Sequence, residues 1–287
     1  MTSTLQQQIQ QFYDASSGLW ESIWGEHMHH GYYGATGEER KERRQAQIDL
    51  IEELLAWGQV NCPNQVLDVG CGIGGSSLYL AEKYGATVTG ITLSPVQAQR
   101  AEERARSSGL GDLTRFQVAD ALHLPFADHS FDLIWSMESG EHMPNKQQFM
   151  AECYRVLQPG GLFLMATWCH RPIDRLPLTP DEQNHLEQIY KVYCLPYVLS
   201  LPEYEVIAQT LEFEQIRTAD WSQAVAPFWN EVIGSALSLP AIAGLLRSGW
   251  TTIQAALSLG LMQRGYQSGL IRFGLLCGIK PGDNPVA

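Results

Sequence analysis

Two short stretches concentrate the residues that could do acid–base chemistry. WGEHMHHGYYG, Trp24 to Gly34, puts Glu26, His27, His29 and His30 within five positions, flanked by aromatic residues. SMESGEHMP, Ser136 to Pro144, adds Glu138, Glu141 and His142 at the end of the apolar run FDLIWSM. A carboxylate or imidazole held in a cleft with a pKa near neutrality can take a proton from a substrate hydroxyl, so either stretch could supply a general base. The first stretch is a poor metal set, because tetrahedral zinc takes three or four ligands from separated turns or strands and these histidines are adjacent and crowded by rings. No metal is expected.

A third stretch could hold a ligand rather than react with it. VLDVGCGIGGSS, Val66 to Ser77, is glycine-rich where an apolar strand gives way to a helix, so a ligand can approach the backbone closely. Gly70, Gly72 and Gly75 satisfy G-x-G-x-x-G, while Asp68, Gly70, Gly72 and Gly74 satisfy D-x-G-x-G-x-G. A dinucleotide site also expects an acidic residue about 20 positions on. Here the next strand ends GITLSP and Thr92 stands where that acid should be.

These groups must be positioned by the elements around them. EERKERRQAQIDLIEELLAW, Glu38 to Trp57, places Ile48, Ile51, Leu54 and Leu55 at helical spacing. From Gln65 the pattern alternates: strand QVLDVG, helix GGSSLYLAEKYG, strand ATVTGITL, then helix SPVQAQRAEERARSSG with Ser94 as N-cap and Pro95 in the first turn. LTRFQVAD, FDLIWSM and GLFLMAT read as strands, with KQQFMAECYRVL as the helix between the last two. Such alternation predicts an α/β fold with a doubly wound, mostly parallel sheet. The second half predicts a helical excursion over His170–Ser200, a short helix, the strand FEQIRTADW, a mostly helical insertion over Ala224–Gln267 and a last strand LIRFGLLCGI. One domain over 1–287 is expected: a helical flap over 1–60, a ligand-binding core over 61–170, and substrate-side helices with the last two strands over 171–287.

Composition removes several classes. A net charge of −12 with pI near 5.1 disfavours a nucleic-acid backbone as partner. Six cysteines form no C-x-x-C pair, as expected of reduced thiols in a cytoplasmic protein. The opening MTSTLQQQIQQFYD shows neither a basic nor an apolar leader region, so no signal or transit peptide is expected, and no apolar run is long enough for a standard membrane span.

VADALHLPF (Val118 to Phe126), FDLIWSM (Phe131 to Met137) and RVLQPGGLFLMAT (Arg155 to Thr167) follow the glycine loop in order. Over about positions 60 to 170 this series resembles the class I S-adenosylmethionine-dependent methyltransferases, which implies their Rossmann-like, seven-stranded sheet. The resemblance implies S-adenosyl-L-methionine as cofactor, with Gly70, Gly72 and Gly74 beneath its methionine part and Asp68 placing its amino group. Asp120 and Ala121 would meet the adenine edge, with Ser136 and Met137 beside the cofactor at the end of the fourth strand. The TLS-x-x-Q run from Thr92 is similar to that of cyclopropane fatty acid synthases, which implies Leu93 and Gln97 as ribose and adenine contacts in place of the missing carboxylate.

No N-P-P-Y or D-P-P-Y follows FDLIWSM, and no Pro-Cys dipeptide offers a thiolate for cytosine, so nucleobase methylation is disfavoured. The FYDASSGLWESIWGEHMHHGYYG front, with TWCHRPI and YCLPYVLSLPEY, resembles the gamma-tocopherol methyltransferases of cyanobacteria and plants over Phe12 to Pro281. It also resembles plant indole-alkaloid N-methyltransferases. The first resemblance implies C-methylation of a lipid-like phenolic substrate, a chromanol with a prenyl tail. His142 would be the base that takes the phenolic proton, with Glu141 orienting it or acting in its place. Tyr33 would touch the methionine end of the cofactor, and His30, Glu138 and Trp168 would face the substrate. In the span Val232–Met262, where Arg247 is the only charged residue, Leu245 and Leu257 would line a tail groove, with peripheral contact to a membrane surface. The alternatives are an N-methyltransferase of an alkaloid or other small amine, and a non-catalytic S-adenosylmethionine-binding protein.

Overall fold

The computed structural model describes residues 7, 9, 10, 14, 25–174, 176–236 and 250–282, without the side chains of 235, 236 and 250–258. Its strands are β1 (Gln65–Val69), β2 (Thr87–Thr92), β3 (Thr114–Val118), β4 (Phe131–Met137), β5 (Leu157–His170), β6 (Glu214–Asp220) and β7 (Ile271–Ile279). They form one sheet in the order β3-β2-β1-β4-β5-β7-β6. β1 to β5 pair in parallel, and β7 runs antiparallel to both β5 and β6. The helices are α1 (Arg43–Gly58), α2 (Gly75–Tyr84), α3 (Pro95–Ser107), α4 (Lys146–Val156), α5 (Pro180–Tyr193), α6 (Leu201–Thr210), α7 (Ser222–Val225), α8 (Pro227–Ala236) and α9 (Trp250–Ser268).

Alternation along the central strands divides the core in two, because successive side chains of a strand point to opposite faces. Trp135 and Leu164 join Leu50 and Leu54 of α1 on one face. Ile134 and Phe163 join Phe149 and Cys153 of α4 on the other. Both faces are covered, which is why β4 reads as a continuous apolar run rather than an alternating one. The chain winds outward from β1 through β2 to β3, then returns to place β4 on the other side of β1. At such a reversal the loops after the two neighbouring strands diverge and leave a crevice at their carboxyl ends.

The stretch 25–42 departs from the helical flap expected over 1–60. It is an irregular strap whose backbone polar groups are satisfied by neighbouring elements rather than by a helix of its own. Gln47 Nε2 on α1 donates to the carbonyls of His27 (2.5 Å) and His29 (2.9 Å). Tyr32 N donates to Ala46 O, and Tyr33 N to Ala224 O. Within Val232–Met262, Leu245 and the side chain of Leu257 lie outside the described residues. No helix among the described residues is long and apolar enough to cross a membrane.

Candidate active site

The crevice beyond β1 and β4 is a cavity walled by the glycine loop, the β2 and β3 termini, the turn after β4 and the strap. Gly70 and Gly72 play different parts in it. Gly70 has φ +87°, and a Cβ there would fall 2.2 Å from Ser139 Cβ. Ser139 in turn donates to Val69 O at 2.5 Å and pairs with Ser136 Oγ at 2.8 Å, so the loops after β1 and β4 are pinned together. Gly72 has φ +54°, and a Cβ there would meet nothing nearer than Met28 Sδ at 3.9 Å. Its missing side chain keeps the cavity floor clear.

Asp68 is buried on the same floor and accepts from Ser77 Oγ at 2.6 Å. Burial pushes its carboxyl up to about 7, with the Ser77 bond opposing. A buried carboxyl with one hydroxyl partner suits an incoming ammonium group. Around the rim, Thr92 Oγ1 donates to Gln97 Oε1 at 2.7 Å, and Gln97 is only 3% exposed. The Ser94 side chain caps α3 by accepting from Gln97 N at 3.1 Å. Thr92 therefore holds Gln97 on the wall that Leu93, Asp120 and Ala121 also line.

The turn after β4 brings the acid–base groups. Glu138 has φ +50°, a conformation that costs a non-glycine residue energy and persists where surrounding contacts enforce it. Those contacts are His30 N to Oε1 at 2.6 Å, His30 Nδ1 to Oε2 at 2.7 Å and Trp168 Nε1 to Oε2 at 3.1 Å. Burial raises the Glu138 pKa, but the charge and hydrogen bonds of His30 outweigh it and leave the carboxyl below its ordinary value. Glu141, three residues on, accepts from Thr167 Oγ1 at 2.8 Å. Burial, then the neighbouring Glu138 charge, push Glu141 up to about 8. His142 is half-buried, and desolvation followed by the Lys146 charge lowers its pKa. Lys146 is itself buried and donates to Glu141 O at 2.8 Å and Met143 O at 2.7 Å, fixing the turn.

A methyltransferase domain family matches residues 67–165, the span that contains the glycine loop and the β4 turn. The chain is 54% identical to a probable chloroplastic tocopherol O-methyltransferase of Oryza sativa subsp. japonica, over 96% of this chain and 79% of that protein. The chain belongs to the tocopherol methyltransferase family. It is 47% identical to a chloroplastic tocopherol O-methyltransferase of Arabidopsis thaliana, over 98% of this chain and 84% of that one. Among solved structures, a geranyl diphosphate C-methyltransferase of Streptomyces coelicolor A3(2), in complex with Mg2+, geranyl diphosphate and S-adenosyl-L-homocysteine, shares the fold at a TM-score of 0.76 with 21% identity. That match covers 98% of this chain and 100% of that one. As a member of this family, the protein is an S-adenosylmethionine-dependent methyltransferase. Its open floor at Gly72 and its buried Asp68 fit the methionine part of that cofactor.

Of the residues expected at the tocopherol methyltransferase site, Asp68, Gly70, Gly72, Leu93, Gln97, Asp120, Ala121, Met137, Glu138, Glu141, His142 and Trp168 all line this one cavity. Four expectations land elsewhere. Tyr33 is not on the cavity wall but in the core with Leu50 and Leu54, because its backbone is tied to Ala224 behind the strap. Gly74 serves packing, since a Cβ there would come within 2.9 Å of Phe116. Ser136 is not on the cavity wall but bonds the Oγ of Ser139, which is. His30 is turned away from the cavity into a box of Trp168, Phe228, Trp229, Tyr266 and Phe273, with ring centroids 4.9–5.9 Å away.

Sequence reasoning missed Met28, Ser139 and Tyr193 on the wall, and Thr167 and Lys146 behind it, and among the named histidines it chose His30 where His29 lines the cavity. Met28 and His29 sit in the strap already singled out, where linear order does not reveal which of alternating side chains turns inward. Ser139 lay inside a quoted motif, but its bond to Val69 crosses 70 positions and is invisible before folding.

Proposed function

We propose that this methyltransferase C-methylates the chromanol ring of gamma-tocopherol and of related delta, beta and tocotrienol forms. The supporting observation is that the family's glycine loop and a pair of proton-handling groups, Glu141 and His142, share one cavity. Bound cofactor supplies the electrophilic methyl group. A neutral phenol ring is a modest carbon nucleophile, and removing its hydroxyl proton raises electron density at the ortho carbon.

Glu141 takes that proton on this reading. Its carboxyl, pushed up to about 8 by burial, is matched to a phenol far better than an ordinary carboxylate, and Thr167 holds it in place. His142, with its pKa lowered, stays neutral beside it and serves as hydrogen-bond partner to the substrate oxygen. The order of these two residues is thus reversed from the sequence expectation, because burial raises a carboxyl and lowers an imidazole. Glu138, engaged by His30 and Trp168, acts as a fixed negative wall rather than as a proton acceptor. Holding the ring carbon in line with the methyl group supplies the remaining rate enhancement.

The test is transfer of labelled methyl groups from S-adenosylmethionine to purified gamma- and delta-tocopherol, with a tail-less chromanol and an indole-alkaloid amine alongside. Label on the aromatic carbon of the tocopherols is expected. Label on the amine, with none on either tocopherol, overturns the reading.

A further inference from the structure

His29 is placed on the cavity wall between two fixed points of its own segment. Just before it, Met28 Sδ stands 3.9 Å from where a Gly72 side chain would begin, over the floor that receives the cofactor. Just after it, His30 is bonded to Glu138 at the end of β4. His29 Nδ1 lies 2.8 Å from the carbonyl of His30. A carbonyl only accepts, so Nδ1 carries the ring proton and Nε2 keeps the lone pair. That Nε2 is buried and has no hydrogen-bond partner among the described residues. Burial, the largest influence, holds the imidazole below its ordinary pKa, so it is neutral at neutral pH, while Glu138 favours its protonated form. Around it stand His27, with ring centroids 5.3 Å apart, His30 and Glu138. Asp68, Asp120, Glu141 and His142 line other parts of the same cavity.

Methylation of a phenol carbon moves two protons, one from the hydroxyl and one from the carbon that is attacked. The β4 turn offers acceptors for the first. We propose that His29 is the acceptor for the second, taking the proton that the ring carbon sheds after the methyl group arrives. This rests on the functional reading above. A carbon–carbon bond forms from the phenolate ring as the sulfur–methyl bond breaks, and that electron pair stays on sulfur. The ring is then a dienone whose attacked carbon bears both hydrogen and methyl. Nε2 takes the hydrogen as a proton, the C–H pair restores the aromatic ring, and the oxygen regains a proton from Glu141. The imidazolium, stabilised by Glu138, returns its proton to solvent, giving one proton released per turnover.

The experiment compares wild type with His29→Asn, whose amide preserves the bond to the His30 carbonyl and removes Nε2. Both are assayed on gamma-tocopherol carrying hydrogen or deuterium at the attacked carbon. In the variant kcat is expected to fall about 100-fold, the range of general-base catalysis, while kcat/KM holds, because methyl transfer is the first irreversible step. A deuterium effect on kcat appears in the variant and exceeds that of wild type. His29→Ala is expected to recover kcat, and to lose the isotope effect, when imidazole is added. An unchanged kcat, or a fall in kcat/KM with no isotope effect, overturns the proposal. So does a loss of affinity for S-adenosylhomocysteine by calorimetry, which assigns His29 to the cofactor. A wild type inactive on the tocopherol overturns the functional reading itself, and this inference with it.

Discussion

His30 and Glu138, 108 positions apart, are joined through both the backbone and the ring of the histidine. The amide lies 2.6 Å from Oε1 and Nδ1 lies 2.7 Å from Oε2. The pair fastens the strap to the sheet edge and holds Glu138 in its left-handed conformation. The same contact explains why His30 faces the aromatic box and leaves His29 on the cavity wall.

Removing one partner of a buried pair leaves the other uncompensated, so His30→Ala is expected to lower unfolding stability by about 3 kcal/mol in urea titration. Glu138→Gln should cost less, because the amide oxygen still accepts. The pH dependence follows from the lowered Glu138 pKa. Its contribution is present above the ordinary carboxylate value and is lost as pH falls through the folded value. In His30→Ala that acid-side loss should disappear from the stability–pH curve.

The open floor at Gly72 predicts that Gly72→Val folds but loses cofactor affinity by about tenfold or more in calorimetry, with part of the effect from the left-handed backbone. Gly70→Ala should behave differently. Its Cβ would strike Ser139, so it should lower the melting temperature even without cofactor.

Burial pushes the Asp68 carboxyl up to about 7. Its contribution to stability is therefore full below the ordinary carboxylate value and is lost as pH rises through about 7. A cationic amino group placed beside it favours the ionised form, so cofactor binding near pH 6 should release protons. Calorimetry in buffers of different ionisation enthalpy measures that release, and Asp68→Asn should abolish it.

With Glu141 as the hydroxyl base, the rate should rise with pH through about 8 as its carboxyl ionises. Glu141→Gln is expected to lose on the order of 100-fold in kcat and to flatten that limb. Thr167→Val removes a bond that favours the ionised carboxylate, and should move the limb to higher pH without abolishing activity.

Lys146→Met removes two charge-assisted bonds and strands the carbonyls of Glu141 and Met143. A stability loss of about 1–3 kcal/mol by denaturant titration is expected. Turnover should fall further than cofactor affinity, because the turn bearing Glu141 and His142 loosens while the glycine loop does not.

The order and type of the central elements could be read before folding. β1 and β4 are mostly apolar runs, and helix starts such as Ser94 before Pro95 and Asn145 before Lys146 carry local capping signals, so nearest-neighbour chemistry decides them. The glycine loop was equally legible, since its spacing marks both the turn that Ser139 crowds at Gly70 and the open floor at Gly72. The sequence also determined that carboxylates and a histidine follow β4. Which of them titrates near neutrality was decided by tertiary structure, because Glu138 and Glu141 are chemically identical groups three residues apart. Both carboxyls are buried, but one meets His30 from a distant segment and is held low, whereas burial and the like charge of Glu138 drive the other up against the weaker opposition of Thr167 and Lys146. The strap follows the same rule. Four polar residues in five positions are indistinguishable along the chain, and only the docking of Gln47, Glu138 and the aromatic box turns His30 inward and leaves His29 at the cavity.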